Sequence, residues 1–144
     1  MHELLSDCPV TAELIMRWGD MDAYGHLNNA VYFRYFEEIR IRYMREAGFA
    51  TRKDGNKNGL VVAKTSCKYR IPLVYPDTIY AGAKVTRVDD GKLVMIYKLV
   101  SKSHDKLAAQ GEALLVGFDL ETMEKSYLDE KVVKNIEALE EKKS

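Results

Sequence analysis

Hydrophobic and polar residues alternate along the chain at two different periods. Apolar side chains occupy every second position of residues 12–18, which predicts a strand with one buried face. Residues 30–47 carry apolar side chains at spacings of four, three, four and four, which predicts a helix. Its buried face consists of Tyr32, Phe36, Ile39, Tyr43 and Ala47. Asn28 or Asn29 can cap the start of this helix, and Gly48 can end it.

The second half of the chain is dominated by the two-residue period of strands. Four alternating segments follow the polar loop at 50–59, and turn-forming residues separate them. Pro72 and Pro76 interrupt the pattern, because proline cannot donate a hydrogen bond to a central strand. The predicted strands cover residues 61–70, 78–88, 92–101 and 107–120. A short terminal helix is predicted at 129–141.

Together these segments predict an α+β fold. Strands joined by tight turns are antiparallel. One long helix and about five strands therefore favour a two-layer domain, with the sheet wrapped over the helix. The length of 144 residues suits one domain of ordinary size. We expect residues 1–144 to form that domain, with the terminal helix and a charged tail that can fray at 130–144.

Charge and composition exclude several classes of protein. Lys plus Arg and Asp plus Glu each number 22, and this zero net charge argues against a general nucleic-acid-binding protein. No apolar run approaches the roughly 20 residues needed to span a bilayer, and the first residues lack the features of a signal peptide. The two cysteines, Cys8 and Cys67, favour neither a disulfide framework nor a zinc site. We expect a cytoplasmic protein in which Cys67 is a buried structural thiol.

The loop before the long helix holds the densest group of chemically active side chains. Residues 20–29 include two acids, a tyrosine, a histidine and two asparagines. A helix N-terminus exposes unpaired N–H groups that can stabilise an oxyanion, and a nearby carboxylate can act as nucleophile or general base. A structural role is the alternative, because acids before a helix are often caps and turn formers. A metal site is disfavoured, since Asp20 and Asp22 lack further ligands nearby.

The stretch 17–37 resembles the signature of hotdog-fold acyl-CoA thioesterases of the 4-hydroxybenzoyl-CoA thioesterase type. It reads RWGDMDAYGHLNNAVYFRYFE, and the shared pattern is D-x-D-x-x-G-H-x-N-N followed by an aromatic-rich helix. The break at residues 71–72 and the ending at 111–120 also resemble this family. The resemblance implies a hotdog fold, in which a curved antiparallel sheet of about five strands wraps around one long helix. It further implies a homodimer or homotetramer with active sites at the dimer interface.

The same resemblance implies roles for residues of the loop. Asp22 corresponds to the catalytic carboxylate of the family, and Asp20 corresponds to a structural position. His26 and Asn29 would orient the substrate or a water molecule. The backbone amides that would receive the thioester oxygen lie at Asn28, Asn29 and Ala30. No metal or organic cofactor is implied, and whether Asp22 attacks the carbonyl or activates water stays open.

The substrate implied by the resemblance is an acyl-CoA, with the branch acting on acyl chains favoured over the branch acting on aromatic acids. Coenzyme A carries several phosphate charges, so a local basic patch is expected. The candidates are Arg52, Lys53 and Lys57 in one loop and Lys64, Lys68 and Arg70 on the following strand. Two alternatives stay open: hydrolysis of acyl groups on acyl carrier protein, and a non-catalytic hotdog module that binds acyl thioesters.

Overall fold

The elements of the fold follow the predicted order. The structure is a computed structural model, and it describes residues 1–49 and 58–142. The strands are β1 (Val10–Ile15), β2 (Asn58–Tyr69), β3 (Thr78–Asp89), β4 (Lys92–Ser101), β5 (Lys106–Asp119) and β6 (Glu124–Lys125). The helices are α1 (Asn29–Glu46) and α2 (Glu130–Glu141), and single 3-10 turns lie at Glu3–Leu5 and Trp18–Asp20.

All strands of the described residues belong to one antiparallel sheet. The strand order is β1-β3-β4-β5-β2, and the two-residue β6 extends β5. The register shifts once in each of the pairs β2–β5, β3–β4 and β4–β5. Such bulges bend a strand and increase its twist. The curved sheet of five main strands, with the long helix α1, confirms the predicted α+β hotdog fold.

Helix α1 packs its apolar side against β1, β3 and β4. Phe36 stacks on Tyr97 of β4, with the ring centroids 5.0 Å apart. Gly111 of β5 lies directly beneath the Phe36 ring, and any Cβ at this position would overlap that ring. A glycine is therefore required where the helix approaches the sheet this closely. The buried positions of α1 are Val31, Tyr32, Tyr35, Phe36, Ile39 and Tyr43.

The two ends of α1 have the predicted caps. Asn28 Oδ1 accepts a hydrogen bond from the Ala30 amide at 2.9 Å, so Asn28 rather than Asn29 is the N-cap. Gly48 has a φ of +85°, and the Phe49 amide donates to the Met44 carbonyl at 3.0 Å. The Asn135 side chain of α2 donates to the Ala47 carbonyl at 3.0 Å, at this same end of α1. Both ends of α1 are therefore set by residues that lie next to them in the sequence.

Two expectations about burial are wrong. The predicted strand at 12–18 ends at Ile15, because the chain turns into the 3-10 turn, and Trp18 is 76% exposed. Cys67 is half-buried rather than buried. The reason is that β2 is an edge strand, which β5 alone pairs within the described residues. No helix in the described ranges is long and apolar enough to cross a membrane.

Candidate active site

The loop that precedes α1 is folded back on itself by backbone hydrogen bonds. The Asp22 amide donates to the His26 carbonyl at 2.7 Å, and the Gly25 amide donates to the Asp22 carbonyl at 3.0 Å. Gly25 has a φ of +79°, a conformation that favours glycine. The Leu27 amide donates to the Leu73 carbonyl at 2.8 Å, which ties the loop to the segment after β2. The sequence D-x-x-G-H thus forms a closed turn immediately before the helix.

Asp22 is held by one of its two carboxylate oxygens. Asp22 Oδ1 accepts hydrogen bonds from the amides of Tyr24 at 2.9 Å and His26 at 3.2 Å. No described residue donates a hydrogen bond to Asp22 Oδ2. The half-buried side chain also lines a cavity of about 230 Å³. One oxygen therefore fixes the carboxylate, and the other is available for chemistry.

The backbone amides at the start of α1 are not equivalent. The Ala30 amide donates to Asn28 Oδ1 at 2.9 Å, and the Val31 amide donates to the Asn28 carbonyl at 2.9 Å. The Asn28 amide donates to the Asp20 carbonyl at 3.0 Å. The Asn29 amide has no acceptor within the described part of the chain. Of the three predicted oxyanion positions, Asn28 and Ala30 therefore have acceptors, and Asn29 keeps an unpaired donor.

The cavity beside Asp22 brings several predicted residues together. His26 and Asn29 line it with Asp22, and the His26 side chain is exposed. The opposite wall comes from the end of β2 and the segment after it. The lining residues on that side are Tyr69, Arg70, Ile71 and Pro72, and Leu27 and Tyr32 complete the cavity.

Tyr69 is a site residue that the sequence did not reveal. Its hydroxyl donates to the Asn29 carbonyl at 3.0 Å, and its ring contacts Tyr32 edge-on with centroids 4.8 Å apart. Burial raises the pKa of the Tyr69 and Tyr32 phenols, so both stay protonated at neutral pH. Tyr69 is the last residue of β2, but no local signal links it to a helix start 40 residues earlier.

Asp20 lies apart from this cavity. Its carbonyl accepts from the Asn28 amide, and its carboxylate lies 3.6 Å from Arg34 Nη1. It lines a different cavity of about 370 Å³ between β1 and α1. The two acids of the D-x-D pattern thus line different cavities.

The basic residues that were predicted to bind coenzyme A do not form one patch in the described residues. Lys68 and Arg70 line a groove of about 350 Å³ beside β2 and β5, and Arg70 also lines the Asp22 cavity. Lys64 is exposed, and it lies four residues before Lys68 in β2 but lines neither cavity. Arg52, Lys53 and Lys57 lie outside the described residues. Within the two described ranges, no cluster of three or more His, Cys, Asp or Glu side chains could hold a metal ion.

Comparison with known proteins identifies the family. The model of the thioesterase-like superfamily matches residues 16–136, which include the whole loop and α1. The chain belongs to the thioesterase-like superfamily. The predicted family is confirmed at this level, and the narrower 4-hydroxybenzoyl-CoA type stays a prediction.

Solved structures support the fold over nearly the full length. A thioesterase of Thermus thermophilus, solved with coenzyme A and zinc, is 29% identical, with a TM-score of 0.82 over 94% of this chain and 97% of that one. A DHNA-CoA thioesterase of Staphylococcus aureus is 19% identical, with a TM-score of 0.81 over 94% of this chain and 95% of that one. At 19% identity, the likeness to the DHNA-CoA thioesterase concerns the fold alone.

Matches to curated relatives are shorter. The protein YsmA of Bacillus subtilis (strain 168) is 28% identical over 82 residues, which are 57% of this chain and 54% of YsmA. The chain spans about half the length of the curated relatives it matches. Activity, substrate and assembly are therefore proposals, and they depend on the geometry of the site.

Proposed function

We propose that this protein hydrolyses the thioester bond of an acyl-CoA to give the free acid and coenzyme A. The observation that carries this proposal is that Asp22 and Asn29 line one cavity. The Asp22 carboxylate is fixed by two backbone amides, and the Asn29 amide has no acceptor in the described part of the chain. A carboxylate beside the positive end of a helix can attack a carbonyl, or activate water, while the helix end stabilises the oxyanion.

The reaction begins when the thioester oxygen accepts a hydrogen bond from the Asn29 amide. In the general-base route, Asp22 takes a proton from water as the water oxygen bonds to the acyl carbon. The C–S bond then breaks, and the coenzyme A thiolate receives the proton. In the nucleophilic route, Asp22 itself bonds to the acyl carbon and expels the thiolate, and water then hydrolyses the mixed anhydride. His26 orients the substrate or water in either route.

The charged part of coenzyme A would extend from this cavity toward the basic residues. Arg70 lines both the Asp22 cavity and the outer groove, and Lys68 lines the groove. Their positive charges suit the phosphates of coenzyme A. The Thermus thermophilus relative was solved with coenzyme A, which supports this class of ligand. Lys64 and Arg52 are further candidates for the same contact.

We also propose a homodimer formed through β2, or a homotetramer built from two such dimers. An unpaired edge strand presents N–H and C=O groups that pair readily with another strand. In the described sheet, β2 has β5 on one side and no strand on the other. Because β2 carries Tyr69 at its end, this pairing would put the cavity near the subunit boundary. The dimer is proposed to act in the cytoplasm.

The test compares wild type with Asp22→Asn on a panel of acyl-CoA thioesters, with thiol release as the readout. The amide cannot attack or accept a proton, so we expect kcat/KM to fall about 10²–10⁴-fold. Asp20→Asn is the matched control, because Asp20 lies two positions away and lines another cavity. Its rate should stay close to that of wild type.

Other outcomes of this panel point to other functions. Equal rates for wild type and Asp22→Asn would remove Asp22 from the mechanism. Faster turnover of the same acyl groups on acyl carrier protein would identify the carrier protein as the natural partner. Tight binding of thioesters without hydrolysis at any chain length would favour a binding module.

A further inference from the structure

Tyr69 connects the edge strand of the sheet to the first turn of α1. Its hydroxyl donates to the Asn29 carbonyl at 3.0 Å, and its ring meets Tyr32 at an interplanar angle of 88°. Both contacts are made to the first turn of the helix, from the last residue of β2. Tyr69 therefore stabilises the first turn of α1, where the backbone amides have no acceptors within the helix.

Asn29, whose carbonyl accepts the hydrogen bond from Tyr69, is also the residue with the unpaired amide. A backbone carbonyl oxygen can accept two hydrogen bonds, so the tyrosine bond adds to the helical one. Because its carbonyl is anchored to β2, the residue that carries the unpaired amide is restrained at the wall of the cavity. The Tyr32 ring contact restrains the same turn from a second direction.

We propose that Tyr69 is a positioning residue for thioester hydrolysis, which acts by holding the Asn29 amide in place to receive the thioester oxygen. This inference rests on the proposed function. Tyr69 makes no bond to the reacting atoms in this role, and its effect is transmitted through Asn29. Through this contact, the position of the Asn29 amide depends on the position of β2.

A purely structural role for the hydroxyl would be seen in the thermal midpoint, whereas a positioning role is seen in kcat. Tyr69 is 42% exposed, and a single hydrogen bond at such a position contributes little to stability because water replaces it. Removal of the hydroxyl should therefore leave the thermal midpoint close to that of wild type. Loss of positioning, in contrast, lowers kcat.

The experiment compares Tyr69→Phe with Tyr75→Phe. Tyr75 is also 42% exposed, and it lines a cavity formed by β1, β3 and the loop after β4. We expect Tyr69→Phe to lower kcat about 10- to 100-fold, because small displacements of a catalytic group are costly, and to raise KM by a smaller factor. Tyr75→Phe should match wild type. If Tyr69→Phe keeps the wild-type kcat while wild type is active, the inference is wrong and the proposed function stands.

A binding measurement separates positioning from a general weakening of the site. One probe is the ketone in which a methylene group replaces the thioester sulfur of an acyl-CoA, and the other is an alkyl-CoA thioether without a carbonyl. Tyr69→Phe should weaken binding of the ketone more than binding of the thioether, because only the ketone meets the Asn29 amide. Equal weakening of both probes would overturn the inference. If wild type hydrolyses no acyl-CoA, the proposed function fails and this inference fails with it.

Discussion

The carboxylates of Asp7 and Asp22 are both held by hydrogen bonds, but their donors differ. Lys84 Nζ lies 2.6 Å from Asp7 Oδ2, and Lys98 Nζ lies 3.0 Å from both oxygens of Asp7. Asp22 accepts from two backbone amides through one oxygen. The charge of Asp7 is therefore neutralised by two lysines, whereas Asp22 is oriented by the backbone through a single oxygen.

Asp7 should make stability depend on pH. Burial raises the pKa of Asp7, but the hydrogen bonds from Lys84 and Lys98 lower it to about 2, below its ordinary value of 3.8. The folded state thus favours the ionised form, and this contribution is present above about pH 4 and is lost as the pH falls toward 2. We expect Asp7→Asn to lower the thermal midpoint at neutral pH and to approach wild type near pH 2.

Thermal unfolding of both proteins between pH 2 and pH 7 measures this difference. Asp90→Asn is the control, because Asp90 is exposed and lies in the turn after β3. A midpoint difference for Asp7→Asn that stays constant over the whole range would contradict the linkage.

At the scale of single elements, α1 serves both packing and chemistry. Its interior residues bury apolar side chains against the sheet, and its first residue lines the cavity beside Asp22. Asn28 decides which amides remain free there, because its side chain and carbonyl accept from Ala30 and Val31. The cap therefore leaves Asn29 as the unpaired donor.

Removal of the Asn28 cap should lower the free energy of unfolding by the amount typical of N-cap substitutions. Asn28→Ala leaves the Ala30 amide without its acceptor, so we expect the free energy of unfolding to fall by about 1 kcal/mol. Asn28→Asp keeps a cap oxygen at the same place and should remain within a few tenths of a kcal/mol of wild type, as roughly expected for interchangeable caps. Urea denaturation measures both values. Equal stability of Asn28→Ala and Asn28→Asp would contradict this role.

At the scale of the whole molecule, the free side of β2 is where we expect assembly. The strand is 12 residues long and pairs with β5 on one side. An edge of this length is normally protected or paired. Its end also carries Tyr69, so the proposed interface and the candidate site share one strand. A chain that does not assemble is therefore expected to have an incomplete site.

A charge placed on this edge should separate the subunits. Val62 lies in β2 and is 42% exposed, and Val74 lies outside the strands with 46% exposure. In sedimentation experiments we expect wild type at about twice the mass of one chain or more. Val62→Asp should shift toward monomer and lose thioesterase activity, because a charge on an edge strand opposes pairing with another strand. Val74→Asp should keep both properties, and a fully assembled Val62→Asp would refute the proposed interface.

Local signals predicted much of the fold and part of the site. The spacing of apolar residues in α1 and the residues Asn28 and Gly48 at its ends act over one or two turns, so they can be read from a short stretch. The group of Asp22, His26 and Asn29 is also local, because all three lie within eight positions. Tyr69 was missed since its partner is 40 residues away.

The sequence alone therefore determined the long helix, the main strands and their antiparallel connections, because periodicity, caps and turns depend on neighbouring residues. Its D-x-D-x-x-G-H-x-N-N motif indicated the thioesterase-like superfamily. Only the tertiary structure decided that β2 lies at an edge of the sheet, and this explains why Cys67 is half-buried. It also decided that the D-x-D acids line different cavities and that Tyr69 reaches the Asn29 carbonyl. Burial and hydrogen-bond pairing depend on contacts between distant segments, and those contacts exist only once the chain has folded.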